Sequence, residues 1–249
     1  TDVRIDASSA RALNAGGSVE IFDGVGGITL ENGSGTVTMT AGDGENVKLA
    51  PVADDGSGAA GPSLTIDSGK DVQLDTVSLE GTDSDGALDV TFGIDGNFDG
   101  ESCDINGEIA DVASADFTAR SGGAVYDRVY INSPITTTDG AITVVNAAAS
   151  IEADITAATD LDFSGAKNEI SVLSTSGETT TLRAEQCNVL MDEELLLEQQ
   201  GSGGGDIHIS AGRDVEFPSD GGVFRESDVQ ISVGQDGAGT FNAGRYLRV

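Results

Sequence analysis

The chain has 249 residues, with 43 acidic side chains against 12 basic ones and a formal net charge of −31. Such a charge repels nucleic acid and anionic membranes and attracts cations, so no nucleic-acid partner is expected. Glycine is abundant at 35, tryptophan is absent and aromatic residues make up only 4%. That composition argues against a core filled with bulky rings and for a thin aliphatic core repeated many times.

The first segment, Val3-Arg-Ile5, reads as a strand. It is followed by Leu13-Asn-Ala-Gly-Gly-Ser-Val-Glu-Ile21, in which Val19 and Ile21 alternate with Glu20. Alternation with a period of two puts one face inward and one outward. A third alternating stretch, Ile28-Thr-Leu30, comes next. The phrase then returns as Met39-Thr-Ala-Gly, running on to Val47-Lys-Leu49, and again as Ile66-Asp-Ser-Gly-Lys-Asp-Val-Gln-Leu74, with Val77-Ser-Leu79 behind it. Later copies are Ile155-Thr-Ala-Ala-Thr-Asp-Leu-Asp-Phe163, Leu182-Arg-Ala184, Ile209-Ser-Ala-Gly-Arg-Asp-Val-Glu-Phe217 and the closing Phe241-Asn-Ala-Gly-Arg-Tyr-Leu-Arg-Val249.

The spacing carries more weight than the resemblance. Leu13 to Met39 is 26 residues, and Met39 to Ile66, Ile155 to Leu182 and Leu182 to Ile209 are 27 each. Three short strands in about 27 residues describe one turn of a three-sided coil. The expected fold is therefore all-β: a right-handed parallel β-helix, or β-solenoid, of about nine coils, forming a single domain over residues 1–249. Glycine and aspartate in the phrase suit the corners, where the chain turns sharply and Asp can accept from nearby backbone N–H groups. Residues 80–150 hold no clear copy of the phrase. Residues 183–200 contain strong helix formers, but Leu182-Arg-Ala184 is in phase with Ile209-Ser-Ala211, so strands are expected there too.

The corner phrases, above all Ile209 to Phe217, Leu13 to Ile21 and Phe241 to Val249, resemble the repeats of filamentous-haemagglutinin-like exoproteins of two-partner secretion. The resemblance implies an extended right-handed parallel β-helix, export to the cell surface, and adhesion or scaffolding. The Asn-Pro-bearing secretion motifs of such exoproteins are absent from this sequence, and the chain is shorter and more acidic than the usual member.

One segment has the look of a metal loop. Asp95-Gly-Asn97-Phe-Asp99-Gly100-Glu101, followed by Asp104, places oxygen ligands at alternate positions before a glycine, as a calcium loop requires. Its position twelve is Asn106 rather than a bidentate acid, so calcium binding stands beside a plain Asp/Gly turn. Asp83-Ser-Asp85-Gly86 and Asp54-Asp55-Gly56 are weaker versions. Cys103 and Cys187, 84 residues apart, fit no zinc spacing; a disulfide and two buried thiols are both open. His208, the only histidine, alternates with Ile207 and Ile209 and is expected to face outward.

No residue pattern marks a catalytic centre, and no enzyme activity is expected. The expected function is an extracellular or cell-surface structural protein whose terminal coils stack head to tail, since a bare coil exposes ladder edges. The alternative is an adhesin or a module binding a glycan or other cell-surface ligand, with a polysaccharide-degrading enzyme behind it. No membrane insertion is expected, because no apolar run approaches the length of a spanning helix.

Overall fold

The computed structural model describes residues 3–7, 9–21, 26–31, 34–94, 100–120, 127–166, 169–174, 179–184, 189–191, 194–199, 206–211, 214–216, 229–232, 239–243 and 246–248. From residue 173 onward, side chains are described only at 180–183, 189–190 and 208–210. Every element among these residues is a β-strand, and every strand pairing is parallel. The protein is a β-solenoid.

Three faces build each turn. Face one begins with Val3–Asp6 and Ile28–Glu31, face two with Arg11–Asn14 and Thr36–Asp43, and face three with Val19–Ile21 and Val47–Leu49. Faces one and two merge into one 19-stranded sheet, because the 11-residue strand Ile109–Ala119 serves both and bends between them. Face three is a separate nine-stranded sheet. Six of its strands, from Val19–Ile21 to Ala148–Ile151, have their side chains described throughout.

Strict register makes the core. On face one a single inward column runs Val3, Ile28, Val52, Val77, Ile109, Ile135, Ile155, Leu182, Ile209. On face three another runs Val19, Val47, Val72, Cys103, Val129, Ala149, Ile170. Face two stacks Leu13, Met39, Ile66, Val90, Phe117 and Val144. From the second coil to Ile209, the members of these columns with described side chains are essentially solvent-free. Outward positions alternate with them and are mostly polar or small, so each face follows the in-and-out rule of a half-buried strand. Large residues find small partners across a rung: Phe92 lies opposite Ala119 and Leu88 opposite Ala115.

Two sequence expectations need correction. The coil is not a fixed 27 residues: successive face-three rungs are separated by as few as 20 (Val129 to Ala149) and as many as 34 (Leu195 to Val229). The recurring phrase is also not one structural element. Leu13, Met39 and Ile66 stack on face two, and their phrase turns the corner to face three. Ile155, Leu182, Ile209 and Phe241 stack on face one, and theirs turns to face two. The same Gly/Asp corner chemistry solves either bend, so the phrase changes corner within residues 66–155. Residues 183–200 do contain strands, Val189–Met191 and Glu194–Gln199, as expected.

The corners are as tight as the phrase suggests. A Cβ on Gly69 would collide with the carbonyl oxygen of Gly42 in the coil below, and a Cβ on Gly42 would lie 2.6 Å from the Gly16 carbonyl oxygen. Backbone stacks on backbone there, leaving no room for a side chain. Gly69→Ala should therefore lower stability by about 1–3 kcal/mol through overpacking. Phe117→Ala, which empties a buried rung, should cost about 3–5 kcal/mol. Urea unfolding followed by far-ultraviolet circular dichroism measures both, and a neutral Gly69→Ala would contradict the corner packing.

Candidate functional site

The corner from face two to face three carries the longest insertions around the middle of the chain, between Phe92 and Ser102 and between Ala119 and Arg128. Below it, four coils contribute to a cleft of about 170 Å³ lined by Asp43, Gly69, Gly93, Ile94 and Arg120. That is smaller than the ~300–1,000 Å³ of ordinary small-molecule sites. Arg120 forms an ion pair with Asp67 at the side of this cleft. Its backbone N–H donates to the Phe92 carbonyl (2.7 Å), and the Gly93 N–H donates to the Lys70 carbonyl (2.8 Å). Lys70 Nζ lies 3.8 Å from Asp71 Oδ2.

Polar side chains at this corner join one coil to the next. Ser18 Oγ accepts from the Asn46 N–H (3.2 Å), Asn46 Oδ1 accepts from the Asp71 N–H (3.2 Å), and Asp71 Oδ1 accepts from the Ser102 N–H (2.9 Å). Asp127 Oδ1 closes the series by accepting from the Glu101 N–H (3.1 Å). The corner aspartates thus satisfy backbone donors of neighbouring coils, where a bend interrupts the strand ladders. The sequence points to Asp as a corner acceptor for nearby backbone N–H groups, and here the donors belong to the neighbouring coils.

The proposed calcium loop falls largely outside the described residues, which exclude Asp95, Asn97 and Asp99. Its two described members differ in setting. Glu101 is buried beneath the corner, 3% exposed. Asp104 lies on the outer side of its strand and accepts from Ser102 Oγ (2.9 Å). Among the described residues no three His, Cys, Asp or Glu side chains form a group able to hold a metal. The carboxylates of the weaker acidic turns are engaged as acceptors within the protein, Asp85 Oδ2 by the Thr138 hydroxyl of another coil. Asp54 Oδ2 accepts from the Gly56 N–H (2.9 Å), Asp55 Oδ1 from the Ser57 N–H (3.0 Å), and Asp85 Oδ1 from the Gly81 N–H (3.2 Å). Burial raises the Asp54 carboxyl above its ordinary range despite the Gly56 N–H. His208 is half-buried, between Thr181 and Thr240 on face one, while Ile209 beside it is fully enclosed, as the alternation predicts.

Of the two cysteines, Cys187 lies outside the described residues and Cys103 is a free, fully buried thiol. Cys103 fills a valine place in the face-three column, between Val72 and Val129. Burial, with a smaller contribution from the Asp104 charge, pushes its thiol well above the ordinary range, so it behaves as a small hydrophobe.

The sequence reading missed one pair altogether. Asp89 and Asp116 face each other on adjacent rungs of face two, on its outer side. Burial raises Asp89 above its ordinary range, and the Asp116 charge and a hydrogen bond from one carboxyl to the other raise it further. The signal was present, since the two residues are 27 apart and each is followed by an inward residue and then a threonine.

Cys103→Val should change stability by less than about 1.5 kcal/mol as a volume-conserving swap. Cys103→Ser, with a hydroxyl in the aliphatic column, should cost about 1–3 kcal/mol. Equal losses in chemical denaturation would contradict the assignment of Cys103 to the core.

Comparison with known proteins adds one result. None of the curated proteins and none of the solved structures matches the chain. One family model, Toastrack DUF4097, matches residues 18–214, from the first face-three strand to the strand Asp214–Glu216. The match is to that family and not to haemagglutinin-type exoproteins. The chain belongs to the Toastrack DUF4097 family.

Proposed function

We propose that the protein is a structural scaffold subunit of the cell exterior that associates head to tail through its terminal coils. The observation that carries the reading is the repeating outline, in which each coil lays its three strands in register on the coil before it and covers that coil's aliphatic layer. Val3, Ile5, Leu13 and Ile21 point inward but are only partly buried, whereas their partners one rung up, Ile28, Leu30, Met39 and Leu49, are solvent-free. Any coil laid in register on another extends three ladders and covers its aliphatic layer. An in-register solenoid end from a second copy has the matching three-sided outline. Contact between two different ends is heterologous and extends without closing.

The net charge of −31 shapes where such stacking works. Like-charged subunits repel at low ionic strength, and salt screens that repulsion over about 10 Å at 0.1 M. A cation-rich exterior therefore favours assembly, and the outward rows of Thr, Ser and Asp keep the assembled faces wet. The fold is also compatible with a glycan-binding adhesin. That reading draws on Tyr130, 38% exposed on face three between Asp104 and Ser150, with the Arg128 guanidinium 6.0 Å from its ring centre. A lone exposed ring is common on protein surfaces, so the repeating in-register outline is the stronger observation.

Electron microscopy of the purified chain in rising salt tests the proposal. Thin fibres of uniform width, lengthening with salt, are expected. Leu13→Lys combined with Ile5→Lys should abolish them while leaving the strand signal in circular dichroism intact. A wild-type chain that stays a monodisperse short rod at high concentration and high salt would overturn stacking and favour the adhesin reading.

A further inference from the structure

We propose that Asp89 and Asp116 share a proton across adjacent rungs of face two, so that the central coils are tighter in mild acid than at neutral pH. The two residues are register partners in the parallel pair Gly86–Phe92 and Ile109–Ala119. Parallel rungs are ~4.8 Å apart, which brings opposed carboxyl groups into mutual hydrogen-bond range.

Their register partners on the flanking strands supply hydroxyls. On the strand below, Thr65 stands opposite Asp89. The nearest charge on that strand is Asp67, already in an ion pair with Arg120, the basic residue at the end of the Asp116 strand. On the strand above, Thr143 stands opposite Asp116 and its hydroxyl donates to Asp116 Oδ1. One rung further, Asp162 is the partner of Thr143.

This arrangement fixes where the proton sits. The Thr143 hydroxyl already donates to Asp116 Oδ1, so Asp116 is the acceptor of the pair and the Asp89 carboxyl the donor. Burial acts in the same direction, since it penalises the charged form of Asp89 before the Asp116 charge is counted. When the proton leaves, two carboxylates oppose each other directly on neighbouring strands, which destabilises a ladder.

The sign follows from linkage. Asp89 is raised in the folded chain relative to an unfolded carboxyl near ~3.9. The folded state therefore binds the proton more tightly, and the pair's contribution to stability falls as pH rises through the raised value. Below the unfolded value both states are protonated and the pair adds no slope.

The test is thermal unfolding of the full chain from pH 4 to 7, for wild type, Asp89→Asn and Asp139→Asn. The last removes an exposed acid outside the pair and reports the effect of lowering the net charge alone. Asp89→Asn should raise Tm at pH 7 by about 1–3 °C more than Asp139→Asn does. That advantage should vanish towards pH 4. An advantage that is absent, or that does not change with pH, overturns the proposal. Should Asp89→Asn fail to fold, carboxyl-carbon NMR titration of the wild type decides: Asp89 titrating above the ordinary aspartate value supports the shared proton, and titration at or below it refutes it.

Discussion

In-register stacking of parallel strands is the constraint on which the rest of this structure depends. Each turn of the chain is too thin to enclose an apolar interior, so Ile109 is buried only because Val77 lies beneath it and Ile135 above it. A shift of one residue in any rung would carry its aliphatic side chains to solvent and its polar ones into the core. Register therefore dictates the other features. Corners must pass within backbone contact of the corners below, which explains why glycine stands at Gly42 and Gly69. Insertions must leave at corners, because a loop inside a face would break a ladder. The column position of Cys103 calls for something of about valine's size, and a protonated thiol meets that need.

The same constraint governs the polar chemistry. Repetition places outward side chains in rows one strand spacing apart, where charge cannot be averaged by rearrangement. Where a row holds threonines, such as Thr38 beneath Thr65, rungs stack without penalty. Where it brings Asp89 onto Asp116, the fold has to accommodate two acids at close range. At the corner to face three the acids serve as acceptors: Asp71 and Asp127 bind backbone N–H groups of adjacent coils, linking turns where ladder bonds stop. The acidity of this chain is thus partly structural, with carboxylates standing in for the strand partners that a bend removes.

Much of this was legible in the sequence, and the limits have physical causes. The period near 27 and the alternation around Val19, Val47 and Val72 point directly to a solenoid, because only stacked coils can use them. The uneven coil length was hidden by corners that lengthen or shorten without disturbing the rungs, as between Val129 and Ala149. The central coils carry no clear copy of the glycine corner phrase, which moves from one bend to another. The rung pattern itself continues through them: Val90, Phe117 and Val144 succeed one another at 27-residue steps on face two. Asp89 and Asp116 precede the first two of these and would have emerged with them. The inter-coil acceptors Asn46 and Asp71 could not be told from ordinary turn residues, because local sequence does not say which coil supplies the donor.

Register through the central coils is the claim that all of this rests on, and pairwise disulfide cross-linking measures it directly. Thr91 and Thr118 are register partners one rung apart, and Val145 lies one rung beyond Thr118. Cysteines at positions 91 and 118, in a background lacking Cys103 and Cys187, should oxidise readily, since ~4.8 Å is within the Cα separation a disulfide spans. Cysteines at 91 and 145, two rungs apart, should not. Cross-linking of the second pair in preference to the first would contradict the register, and with it the continuous columns that hold the solenoid together.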